Sequence, residues 1–167
     1  ETERGALQPL SLFGGAAREA WLEIGFGGGE HLAGQAARHR DIGILGAEPF
    51  LEGVAKLLSE IEERQLANVR IRRGDARELV DQLGDRTIDR VFILFPDPWP
   101  KTRHRKRRLI QADFVHDLAR VMKPGAELRI GTDIGDYART ILMAFAAVPQ
   151  FRWTAQCAAD WRVRPDD

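Results

Sequence analysis

Cysteine is almost missing from this sequence: Cys157 is the single one in 167 residues. That excludes an internal disulfide framework and a thiolate zinc cluster built from this chain alone, and no metal is expected. A reducing cytoplasm suits such a composition. Long apolar runs are missing as well. The longest, Ile141 to Val148, has eight residues, against the roughly 20 of a membrane-spanning helix, so no membrane association is expected. Residues 1–10, ETERGALQPL, hold no apolar stretch of the signal-peptide kind. An excess of either charge is also missing, because 25 Lys and Arg stand against 25 Asp and Glu. Neutrality excludes a uniformly basic nucleic-acid coat and an acidic disordered tail. Internal repeats and low-complexity linkers are missing too, which leaves one domain, able to bury about 70% of the surface its unfolded chain would expose.

Short apolar runs bounded by turn residues alternate with longer amphipathic stretches, the pattern of repeated βα units around a mostly parallel sheet with helices on both faces. The predicted strands are Trp21–Phe26, Ile42–Ala47, Val69–Arg72, Arg90–Phe95 and Glu127–Gly131, with Phe151–Ala155 as a sixth. The fourth contains VFILF, apolar without alternation, and is expected at the middle of the sheet. Predicted helices are Glu30–Arg38, Phe50–Gln65, Arg77–Leu83, Gln111–Met122 and Tyr137–Val148. Leu51, Val54, Leu58 and Ile61 make the apolar stripe expected of the second. Pro124-Gly125 reads as a helix stop followed by a turn.

Ligands of open parallel sheets bind outside the carboxyl ends of the strands, and here those ends are acidic or glycine-rich. The first runs into Glu23-Ile24-Gly25-Phe26-Gly27-Gly28-Gly29-Glu30. Gly25, Gly27 and Gly29 let the backbone turn tightly and approach a ligand, because positive φ is accessible and no Cβ intervenes. A plain tight turn is the alternative reading. Glu30 in the first turn of the next helix, with Glu23 behind, would repel a diphosphate, so the pocket suits a ligand without phosphates. A cationic one, such as S-adenosylmethionine, fits. Glu48 ends the second strand 23 positions after Gly25, the spacing at which an acid accepts from ribose hydroxyls. Asp75 ends the third; it is placed either to accept from an adenine amine or to cap the following helix.

The fourth strand leads into Phe95-Pro96-Asp97-Pro98-Trp99-Pro100-Lys101. Alternating prolines stiffen this loop and would hold Asp97 at the mouth of the site, where a carboxylate can accept from the N1–H and 2-amino edge of a guanine. Trp99 either stacks a base or packs under the loop. Lys101, Arg103, Arg105, Lys106, Arg107 and Arg108 follow within eight positions, together with His104. A charge run is usually a solvated face, but one beside a rigid site loop is where nucleic-acid phosphates would dock. Without residues 101–108 the chain is net −6, so its neutrality is a cancellation. The fifth strand ends at Thr132-Asp133, where Asp133 would stand across the mouth from Asp97 to help grip a base edge; Asp133 and Asp136 both have a helix-capping alternative, since a helix is expected to start near Tyr137. His31, His39 and His116 read as ordinary helix residues.

EIGFGGGE, GAEP, GDA, FPDPWPK-x-RH-x-KRR and TD-x-x-x-YA, in this order and over nearly the whole chain, resemble the bacterial tRNA (guanine-N7-)-methyltransferase family of class I S-adenosylmethionine-dependent enzymes. The resemblance implies a Rossmann-like fold and methylation of a guanosine in the tRNA variable loop. It implies that Glu23, Glu48, Asp75 and Asp97 contact the methyl donor, with Asp97 also the catalytic position. It further implies that Lys101 and Asp133 contact the substrate and that Arg103–Arg108 meets RNA. A monomer is expected. Two features depart from the family pattern. Ile134 stands where members commonly carry Trp, and the C-terminal Thr-x-Phe/Tyr-Glu motif is not reached by Asp167; with a first residue, Glu1, that is not Met, both ends of the domain are expected to be incomplete. The βα pattern alone also admits a nucleotide-dependent oxidoreductase, and the basic run alone a non-catalytic RNA-binding module.

Overall fold

The structure, a computed structural model, describes residues 3–162. Its described residues contain five parallel strands, β1 Glu19–Ile24, β2 Ile42–Glu48, β3 Val69–Arg73, β4 Ile88–Leu94 and β5 Met122–Gly131, in the order β3-β2-β1-β4-β5. Helices α1 Glu30–Arg38, α2 Leu51–Arg64, α3 Ala76–Gln82, α4 Ala112–Val121 and α5 Gly135–Ala146 connect or follow them, and a short α6 spans Ala159–Arg162. Pro9–Phe13 and Thr102–Arg107 form 3-10 helices.

Strand alternation divides the core. On β1, Ala20, Leu22 and Ile24 join a cluster with residues of α3, α4 and α5, while Trp21 packs with Leu32 of α1 and Val54 and Leu57 of α2 on the opposite face. On β4, Val91 and Ile93 face the first cluster and Phe92 the second. Each strand in the centre of the sheet is therefore buried on both faces, which explains its unbroken apolar run. The same fact corrects the expected position of VFILF. Burial on both faces reports helices above and below, and β4, although so covered, stands next to the middle strand, which is β1.

Three further expectations are corrected. Phe151–Ala155 joins no strand; Phe151 turns back so that its ring meets the Phe145 ring edge-on at 4.8 Å, and Trp153 is exposed. Val54 and Leu57 are the buried residues of α2, whereas Leu51 and Leu58 are exposed. The helix does stop before Pro124-Gly125, since α4 ends at Val121, but the pair lies within β5 rather than in a turn: the pairing jumps from Ile88↔Met122 to Arg90↔Glu127, and Gly125 takes φ +83° to turn the bulged chain.

The chain winds outward from β1 to β3, then crosses back to place β4 on the other side of β1. That reversal opens a crevice at the carboxyl ends of β1 and β4, where ligands bind in such sheets. The ends are level: Gly25 N–H donates to Ala47 O at 2.8 Å, Gly74 N–H to Glu48 O at 3.1 Å and Phe95 N–H to Gly131 O at 2.8 Å.

Candidate active site

The loop Gly25–Gly29 runs from β1 to α1 along this edge. Gly25, Gly27 and Gly29 take φ of +70°, +55° and +85°, the left-handed region that favours glycine. A Cβ on Gly25 or Gly27 would meet nothing within 4 Å, so the outer side of the loop is an open cradle. Its inner side is tightly packed. Gly29 sits on Leu57 of α2, and a Cβ on Gly53 would lie 2.1 Å from Gly27 O.

Glu48, 5% exposed, braces this cradle from below. Its Oε2 accepts from Gly27 N–H at 2.9 Å and its Oε1 from Phe50 N–H at 3.0 Å. A carboxylate has about four lone-pair sites, so two stay open for hydroxyl donors. Glu23 is 2% exposed and accepts from His31 Nδ1–H at 2.7 Å; Gln35 Nε2 stands 3.2 Å from the other ring nitrogen. The His31 ring also meets Phe92 edge-on at 4.8 Å. His31 is thus no ordinary helix residue, and the expectation for it is corrected. The available signal was the strand–turn–helix reversal, which sets the first turn of α1 over the penultimate residue of β1. Asp75 takes its capping role, with Oδ1 accepting from Arg77 N–H at 2.9 Å while the side chain stays half exposed at the end of β3.

Across the crevice, residues 95–101 carry Asp97 outward from β4, and Asp97 is exposed. Phe95 and Trp99 on either side have φ of +52° and +41°, conformations each worth about 1–3 kcal/mol of strain that persist only where the surroundings impose them. Trp99 is half buried against the basic segment, with the Arg107 guanidinium 5.1 Å from its ring centre and the His104 ring edge-on at 5.9 Å. Lys101, Arg103, Arg105, Lys106 and Arg107 are exposed on or beside the 3-10 helix. Asp133 is exposed just beyond the end of β5, the strand paired with β4.

Arg108 departs from the expectation that it meets RNA. It is 1% exposed, its Nη2 donates to Asp136 Oδ2 at 2.6 Å, and its guanidinium lies 4.7 Å from the Tyr137 ring centre. A cation so enclosed cannot reach a phosphate. Nothing in a run of like charges distinguishes the buried member; two of its three partners, Asp136 and Thr140, lie 28 and 32 residues downstream. The Arg108 hydrogen bond, followed by the charges of Arg105 and Arg139, holds the Asp136 carboxyl below the usual carboxylate range. Burial pushes the Tyr137 hydroxyl above its ordinary value, and its oxygen accepts from Ile110 N–H at 3.3 Å.

The residues fit the cationic donor expected from the sequence. The cradle from Gly25 to Glu30 contains no Lys or Arg to offset a diphosphate, Glu30 occupies the first turn of α1, and Glu23 and Glu48 stand behind. Among the described residues no group of three or more His, Cys, Asp or Glu is arranged to hold a metal ion.

Comparisons with known proteins agree with this geometry. Residues 17–162 match the family model described as "Putative methyltransferase". The tRNA (guanine-N(7)-)-methyltransferase of Caulobacter vibrioides is 55% identical over 163 residues, 98% of this chain and 71% of the relative. The protein of the same name from Hyphomonas neptunium is 52% identical over 164 residues, 98% of this chain and 74% of its own. In fold, the chain is similar to a SAM dependent methyltransferase from Aquifex aeolicus, with a TM-score of 0.52 at 24% identity over 72% of this chain and 60% of that one. Level strand ends, an open glycine cradle and a rigid Asp97 loop beside a basic segment thus occur in a sequence more than half identical to these relatives, and the chain belongs to the tRNA (guanine-N(7)-)-methyltransferase family.

Proposed function

We propose that this protein transfers the methyl group of S-adenosylmethionine to N7 of a guanosine in the variable loop of tRNA. The observation that carries the reading is the adjacency of two unlike sites. The acidic cradle on β1 and the basic segment after β4 flank the same crevice, because β1 and β4 pair directly through Ile24↔Ile93. A cationic donor and a polyanionic substrate thereby meet at one strand edge. When bound, S-adenosylmethionine supplies an activated methyl carbon. Guanine N7 presents an in-plane lone pair and no proton, so the chain needs no general base. Its residues position and neutralise charge, the contributions from which most of the rate enhancement arises.

In this reading Gly25, Gly27 and Gly29 admit the donor to the backbone, and Glu48 takes ribose hydroxyls on its open lone pairs. Asp75 is placed for the adenine amine, and Glu23, held by His31, contributes negative field beneath the cradle. Asp97 receives the guanine edge; Lys101 and Asp133 flank it. Arg103, His104, Arg105, Lys106 and Arg107 meet phosphates. Cradle and basic segment come from one chain, which supports a monomer as the working unit, and cytoplasmic tRNA is its substrate. No helix among the described residues is long and apolar enough to cross a membrane.

Incubation with unmodified tRNA and labelled donor, followed by digestion, should yield 7-methylguanosine as the labelled nucleoside. Label in another base or none in RNA refutes the reading. Lys106→Ala and Arg103→Ala should each weaken tRNA binding and lower the slope of log affinity against log salt by about 0.7–0.9, the release of one counterion. Titrations at several salt concentrations measure it, and unaltered slopes would remove these residues from the interface.

A further inference from the structure

We propose that Arg108, together with Asp136, is a positioning residue that sets the Asp97 loop, an inference that rests on the function proposed above and reassigns a residue from the RNA surface to the catalytic scaffold. The guanidinium is a rigid fork with donors on three nitrogens, and all three are used. Nε donates to Pro98 O at 2.8 Å, Nη1 to Thr140 Oγ1 at 2.9 Å and Nη2 to Asp136 Oδ2 at 2.6 Å. The bond to Pro98 is the decisive one. Pro96, Pro98 and Pro100 have no N–H, and among the described residues the Arg108–Pro98 bond is the only hydrogen bond that reaches residues 96–100. The carbonyl it grips lies one residue after Asp97.

Strain makes such a tether necessary. Phe95 and Trp99, on either side of Asp97, hold positive φ that L side chains rarely adopt. Proline rigidity fixes φ at three positions but leaves the direction of the loop free, and the direction decides where the Asp97 carboxylate stands. Arg108 supplies that direction by joining Pro98 to the first turn and a half of α5, which carries Asp136 and Thr140. Asp136 is also shared: its Oδ1 accepts from Arg105 Nη2 at 3.1 Å. Arg105 is about half exposed in the basic segment, so one carboxylate fixes the Asp97 loop and the polyanion surface relative to each other.

The test compares Arg108→Lys, which keeps the charge and loses the fork, with Thr140→Val, which leaves every charge in place and removes the hydroxyl that accepts from Arg108 Nη1 and donates to Asp136 O. Methylation kinetics and tRNA binding are measured alongside fluorine NMR of protein labelled with 5-fluorotryptophan, the Trp99 signal being identified with Trp99→Phe. For Arg108→Lys the expected result is a fall in kcat of at least tenfold at saturating tRNA. The tRNA Kd should stay within threefold of the parent and the salt slope should not change. The Trp99 resonance should broaden or split while that of Trp21 stays put, with Thr140→Val showing the same pattern more weakly. Reduced affinity and a reduced salt slope with kcat intact and the Trp99 signal unmoved would overturn the proposal and return Arg108 to the phosphate contacts. Should Arg108→Lys fail to fold, Thr140→Val decides on the same readouts. If the parent makes no 7-methylguanosine, the functional reading fails, while the Trp99 signal still judges the tether.

Discussion

Asp97→Asn should lower the single-turnover rate of methyl transfer by about 10²–10³-fold, the range observed when one preorganised group facing developing charge is removed. The carboxylate makes no hydrogen bond among the described residues, although the loop around it is tethered. Its lone pairs therefore stay available to the N1–H and 2-amino donors of a guanine. As N7 takes up the methyl group, positive charge develops on the ring. A unit charge 4 Å away is worth about 1 kcal/mol in water and about 4 kcal/mol at the effective dielectric near a protein surface, so exclusion of water by the docked base decides the size of the effect. Asparagine keeps the shape, removes the charge and turns an N–H₂ toward guanine donors.

Binding should move in the opposite direction or not at all. tRNA affinity comes from several phosphate contacts on the basic segment, and deleting an anion beside that segment reduces repulsion. A tRNA Kd unchanged or slightly tighter, with a melting temperature within about 2 °C of the parent, completes the expected pattern, since surface changes away from structural contacts usually fall within about 0.5 kcal/mol. Rapid-quench measurement with excess enzyme reads the rate, and a rate equal to the parent's would remove Asp97 from the chemistry.

Which parts of this site were legible in the sequence follows from how far each depends on distant residues. Glycines and acids at strand ends were legible because strand periodicity is local and parallel pairing brings equivalent ends level; Glu23, Glu48, Asp75 and Asp97 all stand on the expected edge. VFILF reported burial on two faces, which several strands share, and so could not give the strand order. The strand expected at Phe151 fails because its partner, the Phe145 ring, lies in the preceding helix, a contact that alternation along the chain does not report. Arg108 and His31 were misjudged for the same kind of reason. Within the run 101–108 six cations look alike, and only folding puts one of them between Pro98, Thr140 and Asp136. Gly53 gave a faint signal, a lone glycine in an otherwise helical stretch, whose meaning depends on a loop more than twenty residues upstream.

That glycine yields the second large effect. Gly53→Ala should weaken binding of S-adenosylmethionine at least tenfold and lower the melting temperature, although helix propensity alone favours alanine by about 1 kcal/mol in a helix interior. The opposing term is steric. The new Cβ would stand 2.1 Å from Gly27 O, closer than real Cβ contacts come, and a tight 3.0 Å from Gly27 C. Either the cradle or α2 has to move. The cradle is held by the 2.9 Å bond from Gly27 N–H to Glu48 Oε2, and breaking it leaves a buried carboxylate short of a donor, a loss of about 1.5–3 kcal/mol for a charged hydrogen bond. α2 is held by Val54 and Leu57, both buried, the latter already pressed against Gly29; overpacking there costs about 1–3 kcal/mol. Each route exceeds or matches the propensity gain, and each displaces the backbone that the donor approaches. Gly25→Ala is the comparison, since a Cβ there meets open space and only the φ of +70° opposes it, a strain of about 1–2 kcal/mol without collision. Calorimetric titration with the donor and thermal melts of both variants measure the effect, with tRNA affinity at the basic segment expected to stay at the parent value. A Gly53→Ala protein that melts at or above the parent and binds the donor equally well would show that helix propensity, not contact with the cradle, governs this position.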